Sequence, residues 1–402
     1  MGEPGPDLRD IPSIVGGSVE NRHGIVLAKS IPAKNHNIKT GEAIWQAKQK
    51  CTDLVIVPPH YNLYERCSYE FLQLLKDYAP AIEIYSIDEC WCDVSGTASL
   101  FGSPVALANL IKDKTFKELG FSVNIGVSTN KLLSKVASNF KKPNQVHTLY
   151  PDQIADKMWS LPVGDLFYVG RATKRKLYSL GIYTIVQLAN MNLDYLRAHF
   201  KKHGEVIWAY VNGIDNSELT VTPPPNKGYG NSTTIAFDIE DAKTAKHVLL
   251  SLSESVCLRM RHDGVYAQIV SIGVKNNLFE YASHQLKTPT PTNTTMEFYY
   301  YACRLFDQLW DHSSIRHLSV RGTDVTKDKF NQMQLFNTKN YDKFYRADRT
   351  IDTIRNRYGN DSIIRASFLN SPIYHMTGGM SREKNGPTKF ERRDDNCKKL
   401  FQ

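Results

Sequence analysis

Two adjacent carboxylates, Asp88 and Glu89, stand inside an apolar run that begins near Ala81. Turn-forming residues at Pro80 and Ser95-Gly96 bound the run, which predicts one β-strand through the pair. Neighbours on a strand point to opposite faces of the sheet, so the two carboxylates cannot both face solvent from one side. Because an unpaired buried carboxylate is costly, the pattern predicts a cation there. A strand that ends at a hairpin in polar residues is the alternative.

Composition narrows the class of protein. The chain has 402 residues and a formal net charge of +9, so we expect roughly two to four domains and a polyanionic partner. The seven cysteines show no metal-ligand spacing, and Cys90 and Cys92 would share one face of a strand. Since the sequence shows no signal peptide and no long apolar run, a soluble, reduced cytoplasmic protein without a membrane contact is expected.

Strands and helices alternate up to about residue 150, which predicts a sheet covered by helices. Short helices follow, and one of them is preceded by a turn at Gly170. A turn of this kind offers backbone N–H groups to a phosphate, and Arg171, Lys174, Arg175 and Lys176 would strengthen the attraction. A small helical bundle with a solvated basic face is the alternative.

A proline-rich stretch, Pro223-Pro224-Pro225, predicts a linker. The pattern beyond it, to about residue 325, is β-α-β-β-α-β, the ferredoxin-like plan of one sheet with two helices on one face. The other face would be free to meet a partner. One more helix is expected over residues 341–359, and the basic end, residues 384–402, is predicted to be disordered.

Four motifs together resemble those of the Y-family translesion DNA polymerases, most of all the bacterial DNA polymerase IV (DinB-like, UmuC-type) branch. In chain order, over roughly residues 7 to 325, they are Tyr85-Ser86-Ile87-Asp88-Glu89, Gly126-Val127-Ser128-x-Asn130-Lys131-Leu132-Leu133-Ser134-Lys135-x-Ala137-Ser138 with Lys142-Pro143-Asn144, Val169-Gly170-Arg171-x-Thr173, and Gly230-Asn231-Ser232-Thr233-Thr234.

The resemblance implies an α+β multidomain right hand with a palm, small fingers, a helical thumb with a helix-hairpin-helix-like turn, and a ferredoxin-like little finger that grips DNA. The expected domains are 1–60 (N-terminal segment and fingers), 61–155 (palm), 156–216 (thumb), 217–229 (linker), 230–327 (little finger) and 328–402 (clamp-binding peptide and basic tail).

The resemblance also implies translesion DNA synthesis by phosphoryl transfer, in which two Mg²⁺ ions ~4 Å apart hold the attacking and leaving oxygens. Asp88 would bridge the metals and Glu89 would lie nearer the primer end. Lys142 matches the palm lysine that contacts the deoxynucleoside triphosphate. Lys34 stands where the family's fingers carry an arginine, and Ile31 where they carry a tyrosine, so looser nucleotide binding is expected.

The start of the chain departs from the family. The family's palm begins with a strand that carries an Asp and an aromatic gate against ribose, followed by a segment like Pro6-Asp7-Leu8-Arg9-Asp10, and here Met1 stands only a few residues before that segment. We expect the first metal carboxylate and the gate to be absent and synthesis by these residues to be strongly impaired. A misassigned start, a fragment and a truncated paralogue are the explanations considered.

A peptide near the C-terminus predicts a protein partner. Gln332, Met333, Leu335 and Phe336 resemble the bacterial sliding-clamp-binding pentapeptide, although these apolar side chains could also fold back on their own domain. The expected partners are primer-template DNA, deoxynucleoside triphosphates and the sliding clamp, with the chain a monomer. The alternative function is a catalytically inactive paralogue that binds DNA and the clamp.

Overall fold

The computed structural model of the chain describes residues 7–17, 22, 24–327, 341–369 and 371–376. The chain divides into two compact units, the first formed by residues 1–62 and 225–391 and the second by residues 63–224 and 392–402. Over the described ranges, no helix is long and apolar enough to cross a membrane.

The N-terminal part of the first unit is a small sheet with two short helices. Its elements are β1 (Ser13–Gly16), β2 (Val26–Lys29), α1 (Ile31–Asn35), α2 (Ile44–Lys50) and β3 (Val55–Val57). Strand β1 lies in the middle, antiparallel to β2 and parallel to β3. Ser30 caps α1, because its side chain accepts a hydrogen bond from the backbone N–H of Ala33.

The second unit begins with two small sheets and their covering helices. The elements are α3 (Tyr61–Lys76), whose first two residues belong to the first unit, β4 (Ala81–Ile84), β5 (Cys90–Asp93), α4 (Pro104–Leu119), β6 (Ile125–Val127), α5 (Lys131–Ser138) and β7 (Val146–Thr148). Strands β4 and β5 form an antiparallel hairpin, and β6 and β7 pair in parallel. Helix α4 has the predicted ends, with Ser103 as N-cap, Pro104 in the first turn and Gly120 as a left-handed C-cap.

A close backbone approach explains the glycine at the start of the second motif. A Cβ atom on Gly126 would overlap the carbonyl oxygen of Ser134 and lie 2.6 Å from the backbone nitrogen of Ser138. Strand β6 and helix α5 therefore pack backbone against backbone, a distance that only glycine permits.

The helical part of the second unit shares a core with α5. Its helices are α6 (Ile154–Lys157), α7 (Arg171–Ser179), α8 (Ile185–Ala189), α9 (Leu193–Phe200) and α10 (Lys202–Val211). Leu133 of α5 is fully buried and belongs to the same hydrophobic cluster as Leu177, Leu196 and Ile207. The helices that follow residue 153 thus rest on the helix that carries the second motif.

The C-terminal part of the first unit confirms the predicted β-α-β-β-α-β order. It contains β8 (Gly228–Ile239), α11 (Ala242–His262), β9 (Tyr266–Asn276), β10 (Tyr281–Thr292), α12 (Thr295–Leu309), β11 (Ile315–Thr326) and α13 (Tyr341–Tyr358). The sheet order is β10-β9-β11-β8 and every neighbouring pair is antiparallel. Phe298 and Phe306 of α12 and Leu252 of α11 pack on the sheet in one core.

Residues 341–369 and 371–376, here called the C-terminal segment, cover the outer side of α11, which the sequence did not predict. Glu254 of α11 pairs with Arg355 at 3.4 Å and with Arg365. Arg261 pairs with Asp348 at 3.3 Å, and Ser255 donates a hydrogen bond to a backbone oxygen of the same segment. These contacts explain why α11 is buried on both its apolar and its polar side.

Candidate active site

Asp88 and Glu89 lie in a hairpin turn and not within a strand. The backbone N–H groups of Tyr85 and Ser86 donate to the carbonyl oxygen of Glu89 at 2.9 and 3.1 Å, and the paired strands end at Ile84 and Cys90. The prediction of one strand through the pair is therefore wrong, because β4 ends at a hairpin before the pair, whereas the cation expected there stays a prediction.

Local hydrogen bonds favour this turn over a continued strand. The Ser86 hydroxyl donates to Asp88 Oδ1 at 2.6 Å and accepts from the Asp88 N–H at 3.4 Å. Serine and aspartate side chains compete in this way with the ladder of a sheet. Asp88 is exposed in this turn.

The carboxylate pair is accessible, contrary to the burial expected from the apolar run. Asp88 is exposed and the Glu89 side chain is 38% exposed. Two open carboxylates fit Mg²⁺, which binds through one or two carboxylates and takes its other ligands from substrate phosphates and water. Within the described part of the chain, no group of three or more His, Cys, Asp or Glu side chains could hold a metal. Because both carboxylates are accessible, the pair is the candidate metal site.

The two faces of strand β5 differ in character. Cys90 and Cys92 both pack in the cluster of Leu74, Leu75 and Ile111, which confirms that the two thiols share a face. A hydrogen bond between the thiols lowers the pKa of Cys90 and raises that of Cys92. This face is part of the hydrophobic core.

The opposite face of the hairpin meets two lysines of α5. Lys131 Nζ lies 2.9 Å from Glu83 Oε2, and Lys135 Nζ pairs with Glu89 Oε1. Trp91 adds a hydrogen bond from its indole N–H to the Lys131 carbonyl at 3.0 Å. Neither ion pair is evident from the sequence, although the spacing of four residues places the two lysines on one side of a helix.

Tyr85, at the start of the turn, lies among aromatic rings. Its ring centroid is 5.0 Å from that of Trp91 and 6.1 Å from that of Phe167, and the ammonium of Lys135 is 5.9 Å away. Aromatic pairs at such distances add stability beyond the area they bury. The carboxylate hairpin is thereby attached to the turn that precedes α7.

The two lysines predicted to bind the triphosphate are both exposed. Lys34 lies in the last turn of α1 in the first unit, and Lys142 follows α5 in the second unit, with a cis peptide bond to Pro143. Ile31, at the start of α1, is 58% exposed. Both ammonium groups are free to reach solvent, as a phosphate contact requires.

The predicted phosphate-binding turn has the expected form, with Gly170 as the N-cap of α7 and Arg171 and Arg175 exposed. Lys174 extends over Gly164. Lys176 differs from the others, because its ammonium donates to the carbonyl oxygen of His199 and lies 4.9 Å from the ring of Phe200. Next to the turn is an open cavity of about 490 Å³, lined by Val136, Asn139, Asp165, Leu166, Phe167, Tyr168, Val169 and Gly170.

The four-stranded sheet of the first unit, β10-β9-β11-β8, carries an open groove of about 680 Å³. Its lining includes Ser271, Ser319 and Arg321. These side chains alternate with the buried Ile272 and Val320, so they lie on the face away from α11 and α12. The groove therefore lies on the face of the sheet for which a partner was expected. The four predicted clamp-binding residues, Gln332, Met333, Leu335 and Phe336, lie outside the described residues, as does the basic end of the chain.

Comparisons with known proteins identify the family. The impB/mucB/samB family model matches residues 3–139, the model of that family's C-terminal domain matches residues 226–335, and a model described as the DNA polymerase-iota thumb domain matches residues 164–215. DNA polymerase IV of Clostridium acetobutylicum is 40% identical over 363 residues, which cover 90% of this chain and 91% of the relative. DNA polymerase IV 2 of Bacillus subtilis is 36% identical over 372 residues, 90% of each chain.

Solved structures agree on the fold. A Y-family DNA polymerase chimera matches with a TM-score of 0.68 at 20% identity, over 81% of this chain and 94% of the other. DinB from Sulfolobus solfataricus matches with a TM-score of 0.52 at 21% identity, over 79% and 93%. The predicted α+β polymerase fold is confirmed. This chain belongs to the Y-family DNA polymerases, in the bacterial DNA polymerase IV (DinB-type) branch.

Proposed function

We propose that this chain carries out template-directed DNA synthesis across damaged or distorted template, as a cytoplasmic monomer. The observation that carries the proposal is the accessible carboxylate pair, Asp88 and Glu89, at the turn of a hairpin in a chain 40% identical to a curated DNA polymerase IV. Polymerisation needs oxygen ligands that are open to both metal and substrate phosphate, and this turn offers them.

Asp88 and Glu89 would hold the Mg²⁺ ions, for which their carboxylate oxygens are suitable ligands. When bound, two such ions neutralise the charge that develops on the attacking and leaving oxygens. Ser86 orients Asp88 through its 2.6 Å hydrogen bond. Lys142, in the same unit as the carboxylate pair, would bind the triphosphate as a point charge.

Primer-template DNA would be held through its phosphates. The N-terminus of α7 presents the backbone of Gly170 beside Arg171, Lys174 and Arg175, a combination that suits a phosphate whatever the base sequence. The open polar face of the sheet, with Arg321, is the second surface that suits a duplex. Neither contact depends on the template base, as synthesis on damaged DNA requires.

Primer extension with Mg²⁺ tests the proposal. Asp88→Asn and Glu89→Gln are each expected to lower the rate by about 100-fold or more, because charge stabilisation carries most of the catalysis. Asp93→Asn is the matched control, since Asp93 lies at the end of the same hairpin and accepts a hydrogen bond from the Ser95 N–H at 2.9 Å. If the Asp88 and Glu89 variants retained the control's rate, the site would not be catalytic.

We further propose that these 402 residues extend primers orders of magnitude more slowly than a polymerase with three metal carboxylates, because among the described residues no third carboxylate is grouped with Asp88 and Glu89. A second candidate function, a catalytically inactive factor that binds DNA and the sliding clamp, needs no metal site. Strong duplex binding without Mg²⁺-dependent extension would support that function. Extension at a rate typical of three-carboxylate polymerases would exclude it.

A further inference from the structure

Helix α5 holds the carboxylate hairpin with two lysines that stand one helical turn apart. Lys131 pairs with Glu83 and lies 5.3 Å from the ring of Trp91. Lys135 pairs with Glu89 and lies 5.9 Å from the ring of Tyr85. The two lysines thus make the same kinds of contact to neighbouring parts of one hairpin.

The two carboxylates nevertheless have different surroundings. Glu83 also accepts a hydrogen bond from the Thr220 N–H at 2.7 Å, and its side chain is 17% exposed. Glu89 is 38% exposed and adjoins the exposed Asp88. The Glu83 pair is therefore enclosed, whereas the Glu89 pair borders the open candidate metal site.

On the basis of the function proposed above, we propose that Lys135 is a positioning residue that regulates metal binding at this site. Its ammonium holds Glu89 in the metal-free protein and opposes a divalent cation at the same carboxylate, because the two cations repel each other. The negative charge of a bound triphosphate offsets that repulsion. The site therefore binds divalent metal weakly until the nucleotide arrives.

Binding of Mn²⁺ to the full chain, measured by electron paramagnetic resonance, tests this proposal without an activity assay. Without nucleotide, Lys135→Gln is expected to bind Mn²⁺ about tenfold more tightly than the unaltered chain, a typical size for the loss of one nearby like charge. The gain should shrink when a deoxynucleoside triphosphate is added. Because Glu89 is partly solvated, the variant leaves no buried unpaired charge and should fold normally, as circular dichroism would verify.

Two controls sharpen the test. Lys131→Gln removes an equivalent lysine one turn away and should leave Mn²⁺ affinity unchanged, since Glu83 is not in the metal site. Lys135→Arg keeps the charge and should bind Mn²⁺ like the unaltered chain.

Four outcomes would overturn the proposal. If Asp88→Asn weakened Mn²⁺ binding but Lys135→Gln did not strengthen it, the metal site would be correct and Lys135 would have no role in it. If Lys131→Gln strengthened Mn²⁺ binding by the same factor, the effect would come from net charge and not from the contact with Glu89. If no variant bound Mn²⁺, or Asp88→Asn bound it as the unaltered chain does, the metal site and the role of Lys135 would both be wrong.

Discussion

Replacement of Glu254 by glutamine is expected to destabilise the first unit and release its C-terminal segment. Glu254 is 2% exposed and pairs with Arg365 and with Arg355, which is itself 4% exposed. Removing one partner of a buried ion pair costs about 3–5 kcal/mol, because the other charge stays buried. Glutamine keeps the volume and part of the hydrogen bonding, so we expect the lower value, about 3 kcal/mol.

The consequence is measurable by calorimetry on the full chain. In a unit of this size, 1 kcal/mol shifts the melting temperature by about 2–4 °C, so the shift should be roughly 6–12 °C in the transition of the first unit. Limited proteolysis should also cut the C-terminal segment sooner, because Glu254 fastens it to α11 through Arg355 and Arg365.

An exposed ion pair of the same unit provides the control. Asp307 lies 2.7 Å from Lys246, and both side chains are well exposed, at 55% and 31%. Asp307→Asn should cost less than about 1 kcal/mol, as surface pairs do. If Glu254→Gln melted at the same temperature as this control and resisted proteolysis equally, the buried network would not hold the segment.

Three further predictions concern other parts of the chain. Gly126→Ala should force β6 and α5 apart and lower the melting temperature of the second unit. Gly96→Ala should leave that temperature unchanged, because a Cβ atom there meets nothing within 4 Å. Equal melting temperatures of the two variants would show that the close backbone approach at Gly126 does not limit stability. Replacing Arg171, Lys174 and Arg175 by alanine should reduce the salt dependence of duplex binding by about 0.9 in slope for each lost phosphate contact. Lys176→Ala should have a smaller effect, because its ammonium bonds to the His199 carbonyl, and an unchanged slope in the triple variant would remove this surface from DNA binding. Leu335→Ala with Phe336→Ala should abolish capture by the sliding clamp while Thr338→Ala keeps it, and retention by the double variant would exclude the peptide as the docking motif.

Short-range patterns in the sequence predicted the elements well. The caps at Ser103 and Gly120 define α4, and the order of strands and helices after the linker predicted the four-stranded sheet with α11 and α12 on one face. Such features depend on hydrogen bonds and periodicity within a few residues, which a single sequence displays. The family was likewise recognisable, because its motifs combine several residues in a fixed order.

Contacts between distant residues could not be read in this way. Lys135 and Glu89 are 46 positions apart and Arg355 and Glu254 are 101 apart, and no local pattern pairs them. At Asp88 the sequence predicted a strand and left a hairpin as the alternative, since an apolar run with polar residues in it suits both. Packing supports the hairpin, because Cys90 and Cys92 face the core on one side. On the other side Tyr85 contacts Phe167, and Tyr85 and Trp91 contact the lysines of α5. The residue types that suit metal chemistry were thus evident from the chain, whereas their exposure and their lysine partners arose only when helices and strands came together.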